Sequence, residues 1–272
     1  VNNIVYVIMD SCRYDTVLAA RTPNIDRLGQ VELRYSYASW TSPSHYAMLM
    51  GMTHHKSPAG VFASEVYKED FIKWRKRTGV KDLDFRSFVP ELSLPHKLSQ
   101  LGYRTVGKVS LPVLNQYTTF SAHFDDYKLM ENHNDFAGMI REMTFEAERP
   151  TFFFFNLGET HYPYMLSRDE APVLHGVHGV FKHLDDAVSD TDDPTDKFFN
   201  REQLETLRAQ QIKACEYVDS LLAELYAKIP PQTHVIVTAD HGELFGEDGY
   251  FGHGPIFHPK VFEVPFVEGR PS

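Results

Sequence analysis

Three short runs of consecutive apolar residues constrain this chain more than any other feature: Asn3-Ile4-Val5-Tyr6-Val7-Ile8-Met9, Pro150-Thr151-Phe152-Phe153-Phe154-Phe155-Asn156-Leu157 and His234-Val235-Ile236-Val237-Thr238-Ala239. They are short, rich in β-branched or aromatic residues, and lack the in/out alternation of a strand with one wet face. Each therefore reads as a parallel strand buried on both sides. Tyr103 to Val109 adds another such strand and Val261 to Val267 a last one. Helical spacing fills the intervals: Thr22 to Leu28, Ser93 to Leu101 (closed by Gly102), Asp135 to Glu148, and Arg201 to Ile229. In the last of these, Leu204, Leu207, Ile212, Val218, Leu221, Leu222 and Leu225 form one broad face, and Pro230-Pro231 stops it. Strands alternating with helices predict an α/β fold, a doubly wound, mostly parallel sheet flanked by helices.

The strand runs end in polar residues. Asp10 follows the first, Glu159 and His161 the second, Asp240 and His241 the third. The carboxyl edge of such a sheet is where ligands bind. Taken singly, Asp10 reads equally well as a helix N-cap; His161 has a structural reading too, but its place just after a buried strand favours a ligand or substrate contact. Taken together they form a set of oxygen and imidazole donors suited to a divalent ion, zinc first, with manganese or calcium as alternatives. His253 follows on a loop between Gly252 and Gly254, which let the backbone come close, and is expected to join the ligands.

A second stretch supplies a reactive group. In Trp40-Thr41-Ser42-Pro43-Ser44-His45-Tyr46, Pro43 is expected to open a helix with Ser42 as its N-cap. Thr41 then stands just before the cap, at the positive end of the helix dipole, where an alkoxide is stabilised. Alone, the stretch reads sooner as an ordinary capped helix; the rest of the chain reverses that.

The remaining sequence bounds the function. The chain has 272 residues, enough for one large domain, and a net charge of −10, which leaves no basic excess for a nucleic-acid partner. Cys12 and Cys215 do not make a disulfide framework. No apolar run is long enough for a membrane span, and no basic-then-apolar signal opens the chain. The sequence starts at Val1, almost on a strand, so an upstream segment stays open and a cytoplasmic location is the default expectation.

Residues 53–90 read as an insertion or a solvated helix with Trp74 as anchor; His54 and His55 lack a third partner for metal. Residues 166–200, with His175, His178, His183 and the acidic run Asp185 to Asp196, read as a lid or substrate-side insertion. Lys108 is expected on the surface, and Phe124 to Tyr127 in a loop.

Asp10-Ser11-Cys12-Arg13-Tyr14-Asp15, Thr22-Pro23-Asn24-Ile25-Asp26-Arg27-Leu28 and Trp40-Thr41-Ser42-Pro43-Ser44-His45 together resemble the sulfatase branch of the alkaline phosphatase superfamily. The end of the chain, Thr238-Ala239-Asp240-His241-Gly242-Glu243, Gly252-His253-Gly254 and Val264-Pro265-Phe266-Val267, is similar to it as well. The resemblance implies a single catalytic domain over 1–272, without the smaller C-terminal subdomain of sulfatases. It implies Asp10, Asp240 and His241 as metal ligands and Thr41 as nucleophile and further ligand. His253 and His161 fall where members contact substrate oxygens or a second metal, Glu159 where some two-metal relatives have a ligand, and His45 is expected with His161 and Glu159 at the substrate or a second metal.

Two departures refine this. Sulfatases carry Cys or Ser, converted to formylglycine, at the position of Thr41, and an arginine at that of His45. Threonine is the nucleophile in phosphodiesterase and phosphoethanolamine-transferase relatives. The expectation is thus a metal-dependent hydrolase or transferase acting on a small-molecule phosphate ester (mono- or diester) through a covalent Thr41 intermediate. A sulfate-ester hydrolase without formylglycine and a non-catalytic metal-binding protein are the alternatives.

Overall fold

The computed structural model describes residues 2–57, 61, 68–84, 87–165, 181–182 and 201–272. In chain order its strands are β1 (Ile4–Met9), β2 (Glu32–Tyr35), β3 (Arg104–Val109), β4 (Asp126–Leu129), β5 (Thr151–Leu157), β6 (Phe181–Lys182), β7 (His234–Thr238), β8 (Leu244–Phe245), β9 (Tyr250–Gly252) and β10 (Glu263–Gly269). The α-helices are α1 (Tyr14–Ala19), α2 (Thr41–Leu49), α3 (Lys68–Thr78), α4 (Leu94–Gln100), α5 (Phe136–Arg141), α6 (Arg201–Lys228) and α7 (Pro259–Phe262).

Seven strands form one sheet in the order β2-β10-β7-β1-β5-β3-β4. Only β10 runs against the others; it pairs antiparallel with both β7 and β2. β1 lies in the middle, with Ile8 opposite Asn156 of β5 and Thr238 of β7. Residues that follow β1, β5 and β7 therefore emerge side by side. β6, β9 and β8 make a small second sheet.

Both faces of the main sheet are covered, which is why its strands lack alternation. Val5, Val7, Phe153 and Phe155 pack in one core with α5 and α6 residues such as Met139, Val218 and Leu222. Tyr6, Ile8, Phe152 and Phe154 pack in the opposite one with Met48 and Leu49 of α2 and Leu98 of α4. Phe154 lies at ring-centroid distances of 5.9 Å from Tyr6, 5.7 Å from Phe120 and 5.7 Å from His45. Phe154→Ala is expected to cost about 3–5 kcal/mol through lost burial and the cavity left behind. A lower denaturant midpoint at unchanged slope would register it, and an unshifted midpoint would contradict this packing.

Several expectations are corrected. Thr22 to Leu28 is a succession of turns, because the Asp219 carboxylate of α6 accepts from the amides of Asn24 and Ile25 and bends the segment onto that helix. The helix expected to reach Glu148 ends at Arg141, with Asp135 as its N-cap accepting from Gly138. Part of the predicted loop at Phe124 to Tyr127 enters edge strand β4 beside β3. Lys108 is buried at 4% exposure, its ammonium 2.5 Å from Glu142. Within 53–90, α3 is helical, and half-buried Trp74 packs on Tyr37, Ala47 and Met52. Apart from Phe181 and Lys182, the stretch 166–200, with His175, His178 and His183, lies outside the described residues. No described helix is long and apolar enough to cross a membrane.

Candidate active site

The site grows from the carboxyl ends of β1, β5 and β7 and the start of α2. Asp10 continues the β1 ladder, its amide donating to the Leu157 carbonyl and its own carbonyl accepting from Thr160 Oγ1. Asn156, at the end of β5, donates to Asp10 Oδ2 at 2.8 Å. Ser11 takes a left-handed φ of 62°, a conformation costing roughly 1–2 kcal/mol for an L-residue. In it the Ser11 amide donates to Asp240 Oδ1 at 3.1 Å and the hydroxyl to Asp10 Oδ1 at 3.2 Å. One strained residue thus ties both carboxylates together.

The cap of α2 differs from expectation. Ser44 N donates to the Trp40 carbonyl, so Trp40, with extended φ, is the N-cap and Thr41 the first helical residue. Ser42 makes no cap, and Pro43 stands third, where its missing N–H would have had no intrahelical partner anyway. Thr41 lies inside the first turn, where the dipole acts most strongly on it.

His241 organises the cluster. Its Nδ1 donates to the Gly242 carbonyl at 2.9 Å, which leaves the Nε2 lone pair for the interior. Gly242 is required there, since a Cβ would collide with the Lys260 carbonyl oxygen. Around His241 Nε2 stand Asp240 Oδ2 at 3.2 Å, Thr41 Oγ1 at 3.4 Å and Asp10 Oδ1 at 3.8 Å. Tetrahedral ligands about 2.0–2.2 Å from a zinc ion lie about 3.3–3.6 Å apart, so Asp240 Oδ2 and Thr41 Oγ1 stand from His241 Nε2 at about the spacing of one cation's donors, with Asp10 Oδ1 slightly wider. Asp240 Oδ2 is buried without any hydrogen-bond partner among the described residues. The donor set and this orphaned oxygen both fit a divalent ion.

Asp10, His45 and Asp240 also stand close enough to share an ion. His45 nevertheless donates from Nδ1 to the Thr41 carbonyl at 2.8 Å, and its Nε2 is 3.3 Å from the Asn156 amide nitrogen. Both ring nitrogens are thereby engaged, and His45 acts as a brace between α2 and β5. Burial pushes its pKa down to about 4, which keeps it neutral.

Burial opposes the ionisation of Asp10, but His161, His241, His45 and the Asn156 hydrogen bond outweigh it and lower its pKa to about 2. Burial and the Asp10 charge push Asp240 well above the usual carboxylate range. Two buried carboxyl groups that cannot both ionise comfortably define a site waiting for positive charge.

His253 lies beside this centre, its ring 4.3 Å from His241 and 5.3 Å from His161. Glu243 Oε1 is 3.0 Å from His253 Nδ1, and the other Glu243 oxygen accepts from the buried Tyr164 hydroxyl. Although burial resists a charge on His253, Glu243 raises its pKa overall. His161 donates from Nδ1 to the Tyr162 carbonyl, and His133 lies 5.5 Å beyond it. Glu159 turns one oxygen away: its Oε1 accepts from the Phe136 amide at the start of α5, its Oε2 is buried with no hydrogen-bond partner among the described residues, and burial pushes its pKa up to about 7. Arg13, fully buried, pairs with Asp15 and Glu247 and donates to the Glu243 carbonyl, bracing the turn that carries Asp240 and His241.

Sequence reasoning passed over Asn156, Ser11, Glu243, Tyr164 and His133 as parts of the site. Asn156 had one available signal, as the polar residue near the end of an otherwise aromatic strand. The others depend on contacts between distant loops.

Residues 2–268 match the family described as Sulfatase. No curated protein matches the chain by sequence. Among solved structures, it is similar to the C-terminal periplasmic domain of EptC from Escherichia coli in complex with Zn, at 18% identity and TM-score 0.61, covering 100% of this chain and 73% of that one. The corresponding domain of the phosphoethanolamine transferase EptC from Campylobacter jejuni aligns at 14% identity and TM-score 0.59, over 98% and 78% of the two chains. The phosphonate monoester hydrolase of Agrobacterium radiobacter aligns at 15% identity and TM-score 0.58, over 100% and 68%. At such identities the likeness speaks for the fold alone.

Proposed function

Because the chain belongs to the sulfatase family and carries a threonine within its buried carboxylate–histidine cluster, we propose that it is a metal-dependent hydrolase or transferase of phosphate esters working through a phospho-Thr41 intermediate. The supporting observation is the placement of Thr41 Oγ1, Asp240 Oδ2 and Asp10 Oδ1 around one histidine nitrogen, at 3.4, 3.2 and 3.8 Å. Asp10, Asp240, His241 and Thr41 would hold the ion. When bound, a divalent cation supplies Lewis acidity, lowering the pKa of a hydroxyl and drawing charge from ester oxygens. The EptC complex with Zn makes zinc the first candidate.

The chain's own residues account for the rest. Thr41 Oγ1 forms a bond to phosphorus as the bond to the leaving oxygen breaks, and water or an acceptor hydroxyl later displaces Thr41. Of the first turn of α2, the amides of Thr41 and Ser42 would stabilise the developing negative charge, since Pro43 has no N–H and Ser44 donates to Trp40. His253, held at Nδ1 by Glu243, keeps Nε2 for the leaving oxygen or for a second cation, and His161 stands beside it. The threonine β-methyl excludes formylglycine formation, which moves the substrate from sulfate towards phosphate. The catalytic domain would span 1–272, with 53–90 and 166–200 as insertions.

The test is a panel of aryl phosphate mono- and diesters with the matching sulfate ester, assayed with zinc and after chelation. Zinc-dependent release from a phosphate ester supports the proposal. Faster release from the sulfate ester would favour a sulfatase without formylglycine, and metal uptake with no turnover a binding protein. Within the proposal, Glu243→Ala is expected to lower turnover roughly 10–100-fold, the usual loss when a histidine's orienting partner is removed. An unchanged rate would detach Glu243 and His253 from the reaction.

A further inference from the structure

Between Glu69-Asp70 and Asp82, residues 72–81, Ile72-Lys73-Trp74-Arg75-Lys76-Arg77-Thr78-Gly79-Val80-Lys81, hold five bases and no acid in a chain with 37 acids and 27 bases. The first seven of them lie in α3. A residue advances about 100° around an α-helix, so Ile72 and Lys76 share a face and Trp74 points opposite to both. Trp74 is half-buried against Tyr37, Ala47 and Met52, and Ala47 belongs to α2. That contact fixes the orientation of α3. The outward face then carries Ile72, 48% exposed, among the exposed Lys73, Arg75, Lys76 and Arg77, with exposed Lys81 just beyond. Arg75 donates to the Leu83 carbonyl, which holds the following turn against the helix. Among the described residues, no ion pair includes Lys76, Arg77 or Lys81, so their charge is directed outward rather than consumed by local carboxylates.

We propose that this face of α3 docks the protein on an anionic lipid surface. Segregated cations select an anionic partner, since the rest of the chain is strongly acidic and at physiological salt its repulsion is screened within about 8 Å. The exposed isoleucine at the head of the cations, on the same face as Lys76, selects the kind of partner. A sulfated polymer presents charge without hydrocarbon, and a net charge of −10 opposes a nucleic acid, whereas a bilayer interface accepts both charge and hydrocarbon. Because Trp74 seats α3 beside α2, the helix of Thr41, docking would hold the candidate site close to that surface.

The measurement is sedimentation of the full chain with phosphatidylcholine vesicles with and without phosphatidylglycerol, at low and physiological salt. Binding is expected only with phosphatidylglycerol, and weaker at higher salt. Each Lys or Arg near an anionic surface contributes about fivefold, so K76Q/R77Q/K81Q together should weaken binding roughly 100-fold. Ile72→Ser should weaken it severalfold. Both variants alter solvent-exposed side chains, and an unchanged thermal midpoint verifies that they fold. Equal sedimentation of the parent protein with both vesicle types, or with neither, overturns the proposal whatever the variants do. So does capture by heparin that is indifferent to Ile72→Ser, which would assign the face to an acidic polymer.

Discussion

Thr41→Ala is expected to abolish ester turnover, by roughly 10³-fold or more, while leaving the chain folded. A covalent nucleophile acts as one unit with the groups that activate it, so its removal forfeits their combined effect. The structural cost should be small. The cap of α2 is the main chain of Trp40, not a side chain, and alanine is the best helix former at the vacated position. Thr41 Oγ1 is 3.4 Å from His241 Nε2, a long contact whose loss costs no more than about 1 kcal/mol. Rates compared at matched circular dichroism and thermal midpoint test this, together with a search for phosphate trapped on the chain after acid quench. A variant that turns over at near-normal rate would remove the covalent mechanism.

Asp240→Asn is expected to abolish the stabilisation of the protein by metal. In the parent protein a cation at 100 times its dissociation constant should raise stability by about 2.7 kcal/mol, and the variant should lose nearly all of that gain. Without metal the order inverts. Burial and Asp10 raise the Asp240 pKa in the folded chain, so folding binds a proton that the unfolded chain releases. Stability of the metal-free protein is then full below the ordinary carboxylate pKa of about 4 and declines as pH rises towards the folded-state value. Asparagine carries no such proton: its oxygen can still accept from Ser11 and His241 amides, and its NH₂ can donate to His241 Nε2. Thermal midpoints with and without zinc, from pH 4 to neutrality, should cross between parent and variant. Equal metal-induced shifts in the two proteins would place the ion elsewhere.

The parts of the fold legible in the sequence are those governed by burial on both faces of a sheet. β1, β5 and β7 announce themselves as unbroken apolar runs because each residue along them enters one of two cores. Their polar successors, Asp10, Asp240 and His241, were legible for the same reason, since a charged residue directly after such a run has few places to go except the sheet edge. α6 was legible from its 28 residues of continuous periodicity. Short elements were not. β2 is four half-buried residues with no pattern of their own, paired by β10. Thr22 to Leu28 has helical spacing, but Asp219, almost 200 positions away, claims its amides.

The sequence by itself determined the class of the fold and the residue types that stand at the carboxyl edge of its sheet, because hydrophobic periodicity and residue type are local properties. Tertiary structure decided which of those chemical groups meet. It placed Thr41 inside the first turn of α2 rather than before it, because the Trp40 carbonyl accepts the first helical hydrogen bond. It turned Glu159 to the Phe136 amide, made His45 a brace, and buried Lys108 against Glu142. It also assembled Ser11, Asn156, Glu243 and Tyr164 around the carboxylates and histidines. Each of these outcomes depends on a hydrogen-bond or ion-pair partner supplied by the folded geometry. No window of sequence contains the distance between them.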